Sequence, residues 1–546
     1  MPYVDLCDIY SLPYGNSDFL AIRQSNQIYV DKTSLIAKIA KENSPLFFSR
    51  PRRFGKSLLI NTLHVLFDKG LKYFNGLDIE KIWNDKIYKV VHLDFSGMAR
   101  KNPYEFKRVL GDEIIQEFDV RDQVQQFDAA GIREPSAILS EISKKLLPQS
   151  VVILIDEYDA PLIHHLDNPD ELQELMDILN DFYSIIKQFT GKFRFVFITG
   201  ITRTSHLSIF SAFNNLIDLS LNVELSDILG FTENDIEKYF YPFLKNSSRH
   251  LQLSTDDLLK RIEQYYDGFQ FSINARQRLY NPWSILSFFK FFTEGFQNYW
   301  FNSGGSSTII KKYLKISNSF DILDYKKKVV YKSLSDLSLR YEITDIPQEI
   351  LLFQAGYLTI RKENDSLARL ILPNTEVEDS MLRLYLTVNN AEPSIHTSNK
   401  IAMLTECIDN KDLRSIVDIF NAILNDCVSS LSNIFKDERS VRDIIFAAIP
   451  QKISLQKIKE RETLKGRSDL ELLTTKTYMV IEFKRTSSQR DEIESLKEAI
   501  EQVKKNKYGI GSFSNRTLYR VALVISSEKK QILPEFCCEI DSTRYI

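Results

Sequence analysis

The sequence predicts an α/β protein: an N-terminal parallel sheet covered by helices, a mostly helical middle region, and a second α/β domain at the C-terminal end. Three observations carry this reading. In the first 225 residues, apolar runs at 151–155 and 193–199 alternate with helical patterns, as strands buried on both faces do. From about 226 to 370 helical spacing dominates, and aromatics such as Tyr265, Tyr266, Phe269, Trp283 and Trp300 supply core packing. From about 431 a fresh alternation of helix and strand begins. Its expected elements are a helix over 438–448, strands over 468–473 and 478–483, a helix over 491–504 and a strand over 518–525.

The bulk composition narrows the class. A chain of 546 residues has room for about three domains. With 43 % hydrophobic and 26 % charged residues it reads as an ordinary globular chain, and long disordered tracts are not expected. The net charge of −3 excludes a whole-chain basic field. Residues 431–546 nevertheless carry 22 Lys and Arg against 17 Asp and Glu, a local excess that suits a polyanionic partner. Cys7, Cys407, Cys427, Cys537 and Cys538 lack CxxC spacing, which predicts a reducing, cytoplasmic setting. The start Met1-Pro2-Tyr3-Val4-Asp5 has no basic-then-apolar leader pattern. No apolar run approaches the ~18 residues of a membrane helix, so no membrane partner is expected.

The first motif is Arg50-Pro51-Arg52-Arg53-Phe54-Gly55-Lys56-Ser57, between an apolar run and a helical pattern. It matches the end of the phosphate-binding loop GxxxxGK[ST], with Arg50 where the first glycine stands. Backbone N–H groups at a helix start attract phosphate. Gly55 permits the tight path, Lys56 reaches the β- and γ-phosphates, and the Ser57 hydroxyl binds Mg²⁺. Arg52 and Arg53 either add phosphate contacts or form surface ion pairs. A second element, the 151–155 strand followed by Asp156-Glu157-Tyr158-Asp159, has the Walker B form. Asp156 holds Mg²⁺ and Glu157 orients the attacking water. Thr199, at the end of a third strand, is the candidate γ-phosphate sensor. Arg203 either stabilises transferred charge or is a surface residue. The expected nucleotide-binding set is therefore Arg53, Phe54, Gly55, Lys56, Ser57, Asp156 and Thr199, with ATP as the ligand.

The second motif is Gly466-Arg467-Ser468-Asp469, followed by Glu482-Phe483-Lys484 on an apolar strand. Residues two apart on a strand share a face, so Glu482 and Lys484 point together. Asp469 on the hairpin partner falls beside Glu482. Two carboxylates hold Mg²⁺ or Mn²⁺ through hard oxygens, and Lys484 positions or helps deprotonate a water. Gln502 and Tyr508 either contact nucleic acid or close a helix end. Glu438 is either an extra carboxylate or a helix-start acid favoured by the dipole.

At these residues the chain resembles known families. Leu12-Pro13-Tyr14-Gly15, Tyr29-Val30-Asp31-Lys32-Thr33, Arg50 to Ser57, Asp156 to Asp159, Ile198-Thr199-Gly200, residues 210–215 and Tyr280-Asn281-Pro282-Trp283 resemble the AAA-ATPase-like family of prokaryotic proteins. That family's loop also begins Arg-Pro-Arg-Arg, so Arg50 is no oddity of this chain. Gly466 to Asp469, Glu482 to Lys484 and Gln502 to Tyr508 resemble the PD-(D/E)XK nuclease-like domain, with Ser468 where the proline of the name stands. The resemblance implies an AAA-type core over 1–225, a lid or winged-helix-like region over 226–372, a helical connector over 373–430 and a nuclease-like domain over 431–546. It implies Mg²⁺ chemistry and names no substrate.

The expected function is an ATP-binding, ATP-hydrolysing protein with a metal-dependent nuclease acting on nucleic acid, DNA before RNA, in defence against foreign DNA. Catalytic roles fall to Glu157, Asp469, Glu482 and Lys484, and metal binding to Ser57, Asp156, Asp469 and Glu482. Assembly into a homo-oligomer is compatible with this. The competing expectation is a nucleotide-dependent switch or scaffold whose C-terminal domain binds without cutting.

Overall fold

The computed structural model describes residues 11–203, 216–303, 310–313, 330–428, 431, 434–450, 454–459, 462–463, 466–488, 491–506 and 516–541. The chain forms two compact units. The first runs to Lys290 and takes in Tyr299 onward and the stretch ending at Thr375; the second takes Phe291–Asn298 and Glu376 onward.

The first unit is built on five parallel strands: β1 (Leu46–Ser49), β2 (Lys89–Asp94), β3 (Val151–Asp156), β4 (Phe193–Gly200) and β5 (Ile217–Asp218). Their order is β2-β3-β4-β1-β5. β1, β3 and β4 are buried along their whole length, which requires cover on both faces of the sheet. Helix α1 (Lys56–Lys69) leaves β1 through Gly55, whose φ is 97°, and buries Leu59, Ile60, Leu63, Leu66 and Phe67 at helical spacing. Helix α2 (Pro169–Gln188) starts with Asn168 accepting from the Glu171 N–H and proline in its first turn, a strong start signal. Because β4 lies between β1 and β3, its C-terminal residues stand between the two motif-bearing strand ends. Gly200 is needed there: a Cβ would fall 2.4 Å from the Tyr158 ring and 2.8 Å from the Asp159 carboxylate.

The middle region follows with short helices, among them α3 (Pro282–Lys290). It also carries a three-stranded antiparallel sheet of β6 (Val330–Ser333), β7 (Thr359–Lys362) and β8 (Leu367–Ile371), in the order β6-β8-β7. Strands this short offer too few alternations to stand out in sequence.

The second unit carries α4 (Thr375–Val388), from its second residue on, and later α5 (Glu438–Ala448). Its sheet contains β9 (Gln456–Lys459), β10 (Leu470–Leu473), β11 (Thr477–Thr486), β12 (Thr517–Ser526) and β13 (Gln531–Asp541). The order is β13-β12-β11-β10-β9; β11 and β12 run parallel and the other pairs antiparallel. Helix α6 (Glu492–Asn506) packs on this sheet, with Ala499 against Ala522. A central β11, buried from Thr477 to Phe483 and emerging at Lys484, presents its charged residues inside the sheet rather than at an edge. Among the described residues no helix is long and apolar enough to cross a membrane.

Candidate functional site

The turn between β1 and α1 is shaped by two left-handed residues, Arg53 (φ 68°) and Gly55 (φ 97°). Arg50, where a glycine was expected, is buried. Its Nη1 donates to the carbonyls of Ser49 (2.9 Å) and Ser220 (2.6 Å). Its guanidinium lies 4.3 Å from both the Phe48 and Phe271 ring centres. The turn is thus anchored by a stacked cation, and burial lowers the Arg50 pKa to about 9. Phe54 packs edge-on against Phe269 and Phe271.

Lys56 is buried, and its Nζ donates to the carbonyls of Arg50 (2.8 Å) and Pro51 (3.1 Å). Burial lowers its pKa, while Glu157, Asp156 and Asp159 oppose that shift. Glu157 sits at φ 50° just beyond β3, and burial raises its carboxyl pKa against the pull of Lys56 and Arg52. Asp156 Oδ1 accepts from the Thr199 hydroxyl at 2.5 Å and from the Glu157 N–H at 3.0 Å. Asp159 accepts from the N–H groups of Ile201 (3.1 Å) and Thr202 (2.7 Å) and from the Thr202 hydroxyl (2.6 Å). These bonds tie the end of β4 to the acidic turn.

Arg53, Phe54, Gly55, Lys56, Ser57 and Glu157 line one cavity of about 590 Å³. The rest of its lining is mixed, with apolar Ile28, Val30, Leu229, Phe240 and Leu286 beside polar Asn16, Lys32 and Thr62. These motif residues thus share one space large enough for a mononucleotide, whereas Asp156 and Thr199 of the expected set are not among its lining residues. Arg203 is neither a surface residue nor turned to this cavity's lining: it is buried and ion-paired to Asp218 at 2.8 Å, and it donates to the carbonyls of Leu337 and Ser338. A buried arginine with these partners is tied into the fold, and losing one partner would strand the other charge.

In the second unit, Asp469 immediately precedes β10. The register Leu470 opposite Ile481, carried one step further, sets Asp469 opposite Glu482. The Phe483 N–H donates to Asp469 Oδ2 at 2.9 Å. Gln502 on α6 donates to Glu482 Oε1, whereas Glu482 Oε2 is buried without a hydrogen-bond partner among the described residues. Burial raises the pKa of both carboxyls; each also feels Glu438, and Asp469 raises Glu482 further while Lys484 opposes the shift at both. Glu438 is turned to the Arg485 N–H, which it accepts at 2.9 Å. Tyr508 and residues 210–215 lie outside the described residues.

Hard oxygens around an unpartnered buried carboxylate oxygen fit a divalent cation. Among the described residues no group of three or more His, Cys, Asp or Glu is arranged to hold a metal. A pair of carboxylates leaves positions for water and phosphate oxygens, as Mg²⁺ prefers.

Sequence reasoning missed the buried charges behind this site. Arg442 on α5 lies 3.5 Å from Asp469 Oδ1 and 2.9 Å from Asp443. Asp443 in turn lies 3.4 Å from Lys459, which pairs with Glu378 at 3.0 Å. Lys457 pairs with Asp379 at 2.9 Å. The available signal was Lys457 and Lys459 two apart on β9, and adjacent Arg442 and Asp443 in an otherwise apolar helix face.

A Gly-Lys-Ser turn between strand and helix, with Asp156 and Glu157 at the end of β3, on a sheet of order β2-β3-β4-β1-β5, has the form of a P-loop protein of the AAA type. The hairpin with Asp469, Glu482 and Lys484 defines a PD-(D/E)XK-type domain. Comparison with known proteins agrees. The family model described as "Predicted AAA-ATPase" matches residues 13–210, and that of the PD-(D/E)XK nuclease superfamily matches residues 436–535. The chain is 31 % identical over 392 residues to an uncharacterized protein in the vnfD 5' region of Azotobacter chroococcum mcd 1, covering 70 % of this chain and 71 % of that protein. The chain belongs to this family of AAA-ATPase-like proteins with a C-terminal PD-(D/E)XK domain.

Proposed function

We propose that this protein binds and hydrolyses ATP and cuts nucleic acid, DNA in preference to RNA, with a divalent metal ion. The observation that carries the nuclease reading is the placement of Asp469 across from Glu482, with Glu482 Oε2 buried and unpartnered among the described residues. Asp469 and Glu482 would hold Mg²⁺ or Mn²⁺, Gln502 orients Glu482 through its Oε1, and Lys484 positions a water beside the scissile phosphate. When bound, the metal supplies a water of lowered pKa and neutralises phosphate charge.

For the nucleotide, Gly55, Lys56 and Ser57 would receive the phosphates, with Ser57 and Asp156 supporting Mg²⁺. Glu157 aligns the attacking water, and Thr199 reports on the γ-phosphate through its bond to Asp156. A carboxyl with a raised pKa at the cavity wall is suited to accept a proton.

Labelled DNA and RNA incubated with the full chain, with and without Mg²⁺ and ATP, test both halves. Metal-dependent cutting that disappears in Asp469→Ala and Lys484→Ala is expected, as is ATP binding that fails in Lys56→Ala. Cutting by both nuclease-site variants at the parental rate would refute the assignment.

A further inference from the structure

Residues of three motifs far apart in sequence meet at the nucleotide cavity, whose lining includes Arg53 and Trp283. The rings of Tyr14 and Trp283 pack with centroids 4.9 Å apart and planes tilted by 32°. The Arg53 guanidinium lies 4.3 Å from the Trp283 ring centre. On the far side, Lys290 Nζ sits 3.9 Å from the Tyr14 ring centre. The result is a row, Lys290–Tyr14–Trp283–Arg53, of two neighbouring rings with a cation against each.

The indole is clamped in place. Asn281 is buried, and its Oδ1 accepts from the N–H groups of Trp283 (2.9 Å) and Ser284 (3.2 Å). Pro282 begins α3, where its fixed φ suits a helix start. Trp283 Nε1 donates to the Tyr299 carbonyl at 3.1 Å. Each residue of the Asn281-Pro282-Trp283 motif therefore serves to hold one ring. Arg53 meets that ring from a left-handed backbone, φ 68°, a conformation unfavourable for a residue with a side chain.

Arg53 and Trp283 both line the cavity that holds Lys56 and Ser57. Stacking occupies the guanidinium's face and leaves its N–H donors in plane, where they match phosphate bidentately. Arg53 Nη2 has one long contact, 3.4 Å to the Ser303 carbonyl.

We propose that Arg53 reads the terminal phosphate of a nucleoside triphosphate, and that Trp283 is its positioning residue, holding the guanidinium plane toward that phosphate. This rests on the nucleotide-binding reading of the same cavity. The added phosphate of a triphosphate is the group Arg53 would distinguish, so the pair sets preference for tri- over diphosphate.

Calorimetric binding of MgATP, MgADP and adenosine to the full chain tests this, with Trp283→Leu, Trp283→Phe and Arg53→Lys beside the parent. Trp283→Leu and Arg53→Lys are each expected to weaken ATP roughly tenfold while leaving ADP within about twofold. Trp283→Phe keeps a ring and should retain most of the preference, and its thermal midpoint controls for folding. An unchanged ATP-to-ADP ratio in Trp283→Leu overturns the proposal. So does an equal loss for ATP, ADP and adenosine, which would mean that the indole carries the base. A parent that binds neither nucleotide instead refutes the nucleotide reading itself.

Discussion

The Thr199 hydroxyl lies 2.5 Å from Oδ1 of Asp156 and joins the ends of β4 and β3. A neutral hydroxyl donating to a carboxylate fixes that carboxylate's orientation, and such a charge-assisted bond contributes about 1.5–3 kcal/mol. Thr199→Val keeps the shape and removes the donor. Steady-state ATP hydrolysis should fall about 10- to 100-fold in kcat, with KM changing far less. A loss confined to KM would place Thr199 in ground-state binding rather than in the hydrolytic step.

Glu482 provides a thermodynamic test that does not depend on finding the substrate. Burying its charge is costly, since burial and Asp469 both raise its pKa. Glu482→Gln relieves that cost and should raise the thermal midpoint in EDTA. Adding Mn²⁺ at 100 times its Kd should stabilise the parent by about 2.7 kcal/mol and leave the variant unmoved. Equal metal-induced shifts in the two proteins would place the ion elsewhere.

Asp379 and Lys457 are both buried, 2.9 Å apart. Removing one partner strands the other, at a cost of about 3–5 kcal/mol, whereas an apolar pair of similar volume is often neutral. Asp379→Leu should therefore lose most of that energy in urea unfolding of the second unit. Asp379→Leu/Lys457→Met should recover much of it. A double variant as unstable as the sum of both singles would show that the two residues act independently.

Asp267 gives a pH dependence. Burial raises its carboxyl from 3.8 to about 6, opposed by the Gly268 N–H and Arg278. The folded state thus holds a proton that the unfolded state releases. Its stabilising contribution is fully present below pH 3.8 and is lost as pH rises through about 6. One raised carboxyl of this size amounts to at most about 3 kcal/mol. Compared with Asp267→Asn, the parent's unfolding free energy should fall between pH 4 and 6; parallel curves would count against the shift.

Much of the architecture was legible because buried strands and phosphate turns use few residue types. The all-apolar 151–155 run and the 193–199 run, apolar but for Arg194 and Thr199, became β3 and β4, extended by one residue to Asp156 and Gly200. The helix over 438–448 has the expected bounds. β9 was invisible, since Gln456-Lys457-Ile458-Lys459 reads as an exposed polar stretch. Its lysines are buried only because Asp379, Glu378 and Asp443 arrive from two helices. Arg203 was misjudged for the same reason: its partner Asp218 and the carbonyls of Leu337 and Ser338 come from segments that spacing alone does not bring together.

Residue order by itself determined the two motif sets, their strand-and-helix settings and the pairing of Glu482 with Lys484 on one strand face, because each depends on local periodicity and turn chemistry. Only the tertiary structure decided that Thr199 meets Asp156, that Gln502 meets Glu482, and that Trp283 contacts both the Tyr14 ring and the Arg53 guanidinium. Those contacts join residues dozens to hundreds of positions apart or on different elements. Their formation is driven by burial of the sheets and helices that carry them, and that burial decides which distant side chains become neighbours.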